Sequence, residues 1–363
     1  MADLFTVARR FKPQGSITDI QEFGNGNINN TFLVTIDNKE EKHFILQRIN
    51  TKVFRRPELV MGNIRIATEH ALRRWESVSE GRRWEVPRVL LTEDGQDHWR
   101  GPDGSFWRAL SFIEGAQSFD TIKNNDYARE AGHALGMFHA LLSTLPPDIL
   151  ADTLKGFHIT PGYMRHYDEV LAKHKADSSP EVNYCMRFIS ERRDWAHVLE
   201  NAKAEGKLLL RPIHGDPKVN NILMDTITGK AVGIVDLDTV KPGLVHYDIG
   251  DCLRSGCNPI GEETEQWETV RFDTDLCRSI LHGYLSIAKD FLTPNDFYYL
   301  YDSARLIAFE LGLRFFTDYM EGDIYFKVKR PGHNLLRALV QFKLTESIES
   351  QEAAVRSIIK EKR

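Results

Sequence analysis

The pattern of apolar and polar positions changes character about a third of the way along the chain. Over the first 110 residues its period is short. Residues 17–23, 31–36 and 43–49 are runs rich in Ile, Val, Thr and Phe, the composition of strands. Asp37-Asn38-Lys39 offers a turn between the second and third runs, so these two read as a hairpin. Residues 57–79 follow as a helix, with Pro57 suited to its first turn. Residues 88–92 and 106–113 return to strand texture, and Pro87 stands where it removes no central ladder bond. The expectation is a small antiparallel sheet with one helix.

After Gly115 the period lengthens. Ala131, Ala134, Leu135, Phe138, Leu141, Leu142 and Leu145 recur at helical spacing. Further helices are expected near 162–177, 181–203, 274–290, 294–319 and 332–361. Short β runs at 208–237 interrupt them and surround polar residues. The fold class is therefore α+β, in two lobes. Residues 1–113 form a small β-rich lobe, 114–363 a larger, mainly helical one, and the link falls at about 112–115.

Composition adds exclusions. The 363 residues carry 47 basic and 52 acidic side chains, a net charge of −5, which argues against nucleic acid as a partner. No window approaches the ~18 uninterrupted apolar residues of a membrane helix, so no membrane partner is expected. Charges at Asp3, Arg9, Arg10 and Lys12 break up any apolar leader. Cys185, Cys252, Cys257 and Cys277 form no C-x-x-C pair and no zinc pattern, which reads as reduced thiols in a cytoplasmic protein.

Chemistry concentrates in Ile213-His214-Gly215-Asp216-Pro217-Lys218-Val219-Asn220-Asn221. H-x-D followed after four residues by Asn is the spacing of a phosphotransfer catalytic loop. Asp216 can accept a hydrogen bond from an attacking hydroxyl and orient it. Asn221 offers a neutral oxygen to Mg²⁺, which prefers hard donors. A hairpin through Thr226–Gly229 then leads to a strand ending in Asp236-Leu237-Asp238. Asp236 is the candidate metal carboxylate, and Asp238 is either a second metal contact or a turn former. Gly24 and Gly26, in Phe23-Gly24-Asn25-Gly26-Asn27, lie between two strands, where backbone N–H groups can approach ATP phosphates. The lysine expected on the third strand is absent: Gln47 holds its place and Arg48 points to the other face, which leaves Arg48 after a one-residue shift, Lys42 or Lys52 as alternative cations.

Taken together, these segments resemble the phosphotransferase enzyme family that includes aminoglycoside phosphotransferases and choline kinases. HGDPKVNN matches the family's catalytic loop and GIVDLD its metal segment. The resemblance runs from about Gly24 to Lys343. It implies a protein-kinase-like two-lobed fold, ATP and Mg²⁺ as cofactors, and a hinge at Phe112-Ile113-Glu114 that touches adenine. GNGNINNTFLV, HFILQRIN, NNILMD, TGKAVGIVDLDTVKPG, DIGDCLRSG and GLRFFTDYMEGDIYF further resemble the N-acetylhexosamine 1-kinases. That implies a small-molecule acceptor, N-acetylglucosamine or N-acetylgalactosamine, phosphorylated at its anomeric hydroxyl. Gly215 departs from that narrower group, where Asn is expected, and is ordinary in the wider family.

Arg314 and Asp318 stand at i, i+4 and share a helix face, either as sugar ligands or as a structural ion pair. Tyr319 and Tyr325 are candidates for a stacking wall or for the core. Asn29 can serve the sugar or the phosphates. Asp248 is expected to anchor the loop and His214 to brace it. Two rival functions stay open. One is a kinase for an aminoglycoside, an amino alcohol or another sugar, and the other is a weakly active nucleotide-binding scaffold.

Overall fold

The computed structural model describes residues 3–11, 13, 15–24, 28–38, 41–78, 81–173 and 179–361. A short helix, α1 (Leu4–Arg9), precedes strands β1 (Ile17–Glu22), β2 (Asn30–Ile36) and β3 (His43–Ile49). Helix α2 (Pro57–Val78) leads to β4 (Val89–Leu90), β5 (Trp99–Arg100) and β6 (Phe106–Ser111). Among the described residues these strands form one antiparallel sheet in the order β1-β2-β3-β6-β4, with β5 also on β6. Alternation buries Val34, Phe44, Leu46 and Ala109 on the face that α1 covers with Val7 and Ala8.

Beyond the link come β7 (Ala116–Gln117), α3 (Asn125–Leu142), α4 (Thr160–Lys173), α5 (Pro180–Ser190) and α6 (Val198–Ala204). Strands β8 (Arg211–Ile213), β9 (Ile222–Asp225), β10 (Ala231–Ile234) and β11 (Lys241–Gly243) follow. Helices α7 (Val245–Gly256), α8 (Thr274–Ala288), α9 (Pro294–Tyr298), α10 (Leu300–Glu321), α11 (His333–Ser350) and α12 (Glu352–Lys360) complete the chain. Helices α3 and α8 touch backbone to backbone. A Cβ on Gly132 would lie 1.9 Å from the Ile280 carbonyl oxygen, and one on Gly283 1.9 Å from that of Arg129, so only glycine permits the contact.

Three expected helices are each divided. The stretch 181–203 becomes α5 and α6 around Trp195, which turns in to pack on Phe309 with centroids 5.2 Å apart. The stretch 294–319 breaks at Tyr299, after a capping box in which Thr293 and Asp296 satisfy each other's backbone. The stretch 332–361 breaks at Gln351, whose side-chain amide donates to the Phe272 carbonyl at 2.9 Å. Helix α2 is tied to the helical part. Buried Asn63 donates to the carbonyls of Ala151 and Val240, each at 2.8 Å, and accepts from the Ala151 N–H at 2.8 Å. Among the described residues no helix is long and apolar enough to cross a membrane. All four cysteines are buried and unbridged.

Candidate active site

Strand β8 delivers His214, Gly215 and Asp216 into the groove between the sheet and the helices. Gly215 has φ 86°, and a Cβ there would meet the Thr239 carbonyl oxygen at 2.7 Å, so both conformation and space require glycine. Asp248, at the start of α7, is completely buried. It accepts from the N–H groups of His214 at 2.7 Å and Gly215 at 2.8 Å, and pairs with His139 Nε2 on α3 at 2.8 Å. Burial pushes its carboxyl upward, but the His139 bond and charge outweigh that and hold it below its ordinary value.

On the opposite side His158 donates through Nε2 to the Gly215 carbonyl at 2.7 Å and through Nδ1 to Glu310 at 2.9 Å. Both ring nitrogens face acceptors, so the ring is an imidazolium. Burial disfavours that charge, and the Glu310 carboxylate overcomes it, raising the pKa. His214 is different. Its Nε2 donates to the Val235 carbonyl at 3.0 Å while Nδ1 accepts from the Asp216 N–H at 3.3 Å. Burial pushes its pKa down, so it braces the loop as a neutral ring.

Asp216 points into the groove beside Lys218, with Nζ 3.1 Å from Oδ2. Asn221 donates its amide N–H to the Asp216 carbonyl at 2.7 Å, which leaves its side-chain oxygen for another partner. The β9–β10 hairpin then brings up Asp236, in the left-handed region at φ 66°, ψ 56°. The residue is exposed by surface area, while its carboxyl group is closely surrounded by protein. That loss of bulk solvation, followed by the like charges of Asp238 and Asp216, pushes its carboxyl up to about 7. A carboxylate in a negative surplus, beside a free amide oxygen, fits a hard divalent cation that takes its remaining ligands from phosphate and water. Among the described residues no group of three His, Cys, Asp or Glu converges to cage a metal without such help.

Asp238 lies in the short turn after Asp236 and takes its partners from the sheet. It is buried, paired with Arg108 of β6, and accepts from Asn29 Nδ2 at 2.6 Å. Asn29 therefore serves Asp238 here, and its own oxygen accepts from the Asn50 N–H at 2.9 Å. Gln47 faces the same way. It donates to Thr31 Oγ1 at 2.9 Å and accepts from Arg108. Arg48 lies on the far face, 6.0 Å over the Trp107 ring. Gly24 has φ 74° with open space around it, while Gly26 lies outside the described residues. At the link, Phe112 packs edge-on against Phe23 and Ile113 is buried. Glu114 has its carbonyl bonded by Arg83 at 2.5 Å and its carboxylate by His43 at 2.8 Å, which fastens the link.

Asp216 lines an open cavity. Arg314 lines it, caged by the rings of Phe157, Tyr163, Tyr325 and Phe326 at 5.0–5.9 Å. The expected partnership of Arg314 with Asp318 does not form. Asp318 is turned to the loop after α10, where it accepts the N–H groups of Ile324, Tyr325 and Phe326 and the Asn334 amide at 2.7–2.9 Å. Tyr319 stacks on Phe316 with the core, and Tyr325 takes the cavity wall.

The model of the phosphotransferase enzyme family matches residues 19–272, well over half of the chain and the whole span from β2 through the catalytic loop and metal turn. The chain belongs to this family. Solved structures share the fold at low identity. An aminoglycoside phosphotransferase from Alicyclobacillus acidocaldarius superposes with TM-score 0.64 at 16% identity, covering 99% of this chain and 98% of that one. A microcompartment-associated aminopropanol kinase gives 0.62 at 15%, covering 94% and 95%. An amicoumacin kinase in complex with AMP-PNP and Ca²⁺ gives 0.54 at 14%, covering 92% and 88%.

Within this phosphotransferase frame, sequence reasoning missed three groups at the site: Arg108, Glu310 and His158. Arg108 stands alone as a charge in the buried run Phe-Trp-Arg-Ala-Leu, and Glu310 in the apolar run Ala-Phe-Glu-Leu-Gly; a lone charge in an apolar element needs a buried partner. Those signals were present in the chain. His158 carried no such signal. Asp251 lines the cavity with one oxygen bonded to Arg254 and the other buried without a partner.

Proposed function

We propose that the protein is an ATP- and Mg²⁺-dependent kinase that phosphorylates the anomeric C1 hydroxyl of an N-acetylhexosamine. What supports the acceptor class is the charge balance of the cavity beside Asp216. Its carboxylates have cationic partners: Asp216 with Lys218, Asp251 with Arg254, Glu262 with Arg254, and Glu310 with His158. A cationic amino alcohol or aminoglycoside would call for an acidic surplus, and there is none. Arg314, held by ring faces, offers donors for an amide carbonyl or ring oxygen. The free oxygen of Asp251 accepts from a hydroxyl, and Tyr325 supplies a face for a sugar ring. A neutral polyhydroxy ring with an acyl amide meets all three.

Asp216 accepts the hydrogen bond of the attacking hydroxyl and directs its lone pair at the terminal phosphorus. Asn221 and Asp236 would hold Mg²⁺, which when bound neutralises charge on the phosphates. Lys218 compensates Asp216 as negative charge moves through the site. In this reading the nucleotide lies against the sheet and the acceptor against α7 and α10, with the link at 112–115 between them. The amicoumacin kinase, with its nucleotide analogue and divalent cation, supports the same pairing of cofactors.

The test is ADP release over a panel of hexoses, N-acetylhexosamines, choline and aminoglycosides, with phosphorus NMR of the product. Turnover of an N-acetylhexosamine to a 1-phosphate is expected. A 6-phosphate, or preference for a cationic acceptor, overturns the reading. Arg314→Gln is expected to raise the acceptor KM about tenfold, as the loss of a charged hydrogen bond would, and to leave the KM for ATP unchanged.

A further inference from the structure

A kinase sheet places a fixed cation near the nucleotide phosphates, normally from its third strand. Here that position is Gln47. The cation stands one strand over. Arg108 on β6 is the direct register partner of Gln47 on β3, and paired positions present their side chains on one face. Arg108 Nε and Nη2 donate to Gln47 Oε1 at 2.9 and 2.6 Å. The same guanidinium forms an ion pair with Asp238, and both side chains are under 5% exposed. A pair this dry is costly, the more so because Asp238 Oδ1 and Arg108 Nη1 are buried without a hydrogen-bond partner, so its presence in mid-strand asks for a reason.

The reason lies in what Asp238 joins. Its second oxygen takes the Asn29 amide, and Asn29 in turn takes the Asn50 N–H. Asp238 is thus gripped from β6 and from the segment leading into β2. It stands two residues after Asp236, on a turn that begins in the left-handed region.

We propose that Arg108 is a positioning residue for nucleotide binding: through Asp238 it latches the sheet to the turn that aims the Asp236 carboxylate. Gln47 orients the guanidinium, and together the two side chains replace a strand-three lysine. The proposal rests on reading Asp236 as the carboxylate that holds the divalent cation.

Binding of AMP-PNP, with and without Mg²⁺, is measured by calorimetry on the wild type, Arg108→Met, Asp238→Asn and the double variant. No acceptor is needed. Each single variant is expected to weaken binding with Mg²⁺ about 10-fold or more, as loss of a group that orients a metal ligand does. Metal-free binding should change far less, which a general loss of folding would not produce. The double variant should be no weaker than the worse single, because both residues act as one unit. Asp238→Asn is isosteric and decides the matter if Arg108→Met does not fold. Unchanged Mg²⁺ dependence in Asp238→Asn, or losses that multiply in the double variant, overturns the latch. A wild type that binds no nucleotide with Mg²⁺ overturns the reading of Asp236, and the latch with it.

Discussion

The two acidic centres of the groove are held in opposite ways. The loop that carries Asp216 is fixed from within the helical part: Asp248 on α7, His139 on α3 and Glu310 on α10 reach it, the last through His158. These groups come from separate helices of one packed core, so the loop is set before any ligand arrives. The turn that carries Asp236 depends on the sheet, through Arg108 and Asn29 onto Asp238. Preorganisation of the Asp216 loop is thus a property of the core, whereas placement of the Asp236 carboxylate is a property of how the sheet meets the helices.

The sharpest way to separate these roles is Asp216→Asn. It leaves every anchor of the loop in place and removes only the carboxylate that orients the hydroxyl. Turnover should fall at least ~10²-fold, and melting temperature and nucleotide affinity should hold. Near-normal turnover would remove Asp216 from the mechanism.

Asp248→Asn attacks the anchor instead. An amide cannot accept from two backbone N–H groups with both of its atoms, so one buried donor is left unmet, at a cost of about 1–3 kcal/mol. The pH dependence carries the sign. Asp248 sits below its ordinary value of 3.8, so its contribution is present above that value and is lost as pH falls through the folded one. His158 is raised above 6.5, so its contribution is complete below 6.5 and is lost as pH rises through the folded value. Denaturant midpoints against pH should fall on both flanks. Asp248→Asn should flatten the acid flank and His158→Gln the alkaline one. Flanks unchanged in both variants would show that these groups do not set the stability of the loop.

Gly215→Ala probes the same loop sterically. The new methyl would press on the Thr239 carbonyl in a backbone region that costs a non-glycine residue about 1–3 kcal/mol. Urea unfolding should show that loss together with slower turnover. Equal stability would mean the loop can flatten its φ, contrary to a preset geometry.

These contrasts also mark what the chain discloses unaided. The strands, the long helices and their order follow from hydrophobic period, because each face must find a core. The Asp216 loop and the Asp236 turn stood out as candidates because their spacing is local. What could not be read are the links between distant residues: Asp248 with His139, 109 positions away, and Asn29 with Asp238, 209 positions away. The helix break at Gln351 escaped for a related reason, since an amide bond to Phe272 marks it while the apolar period runs on. Asp318 shows the converse. Helical spacing put it beside Arg314, but three N–H donors from the following loop and the Asn334 amide of α11 claim it.

That last point yields the smallest expected effect. Asp318→Asn keeps one acceptor and replaces the other with an amide that faces donors, so the loop carrying Tyr325 and Phe326 should loosen. Since the variant removes no group that lines the acceptor cavity, the loss should appear mainly as stability, about 1 kcal/mol in denaturant unfolding. The acceptor KM should move less than with Arg314→Gln. If Asp318→Asn raised that KM as much and left stability untouched, Asp318 would be a ligand of the acceptor, and the i, i+4 pair with Arg314 would form when the acceptor binds.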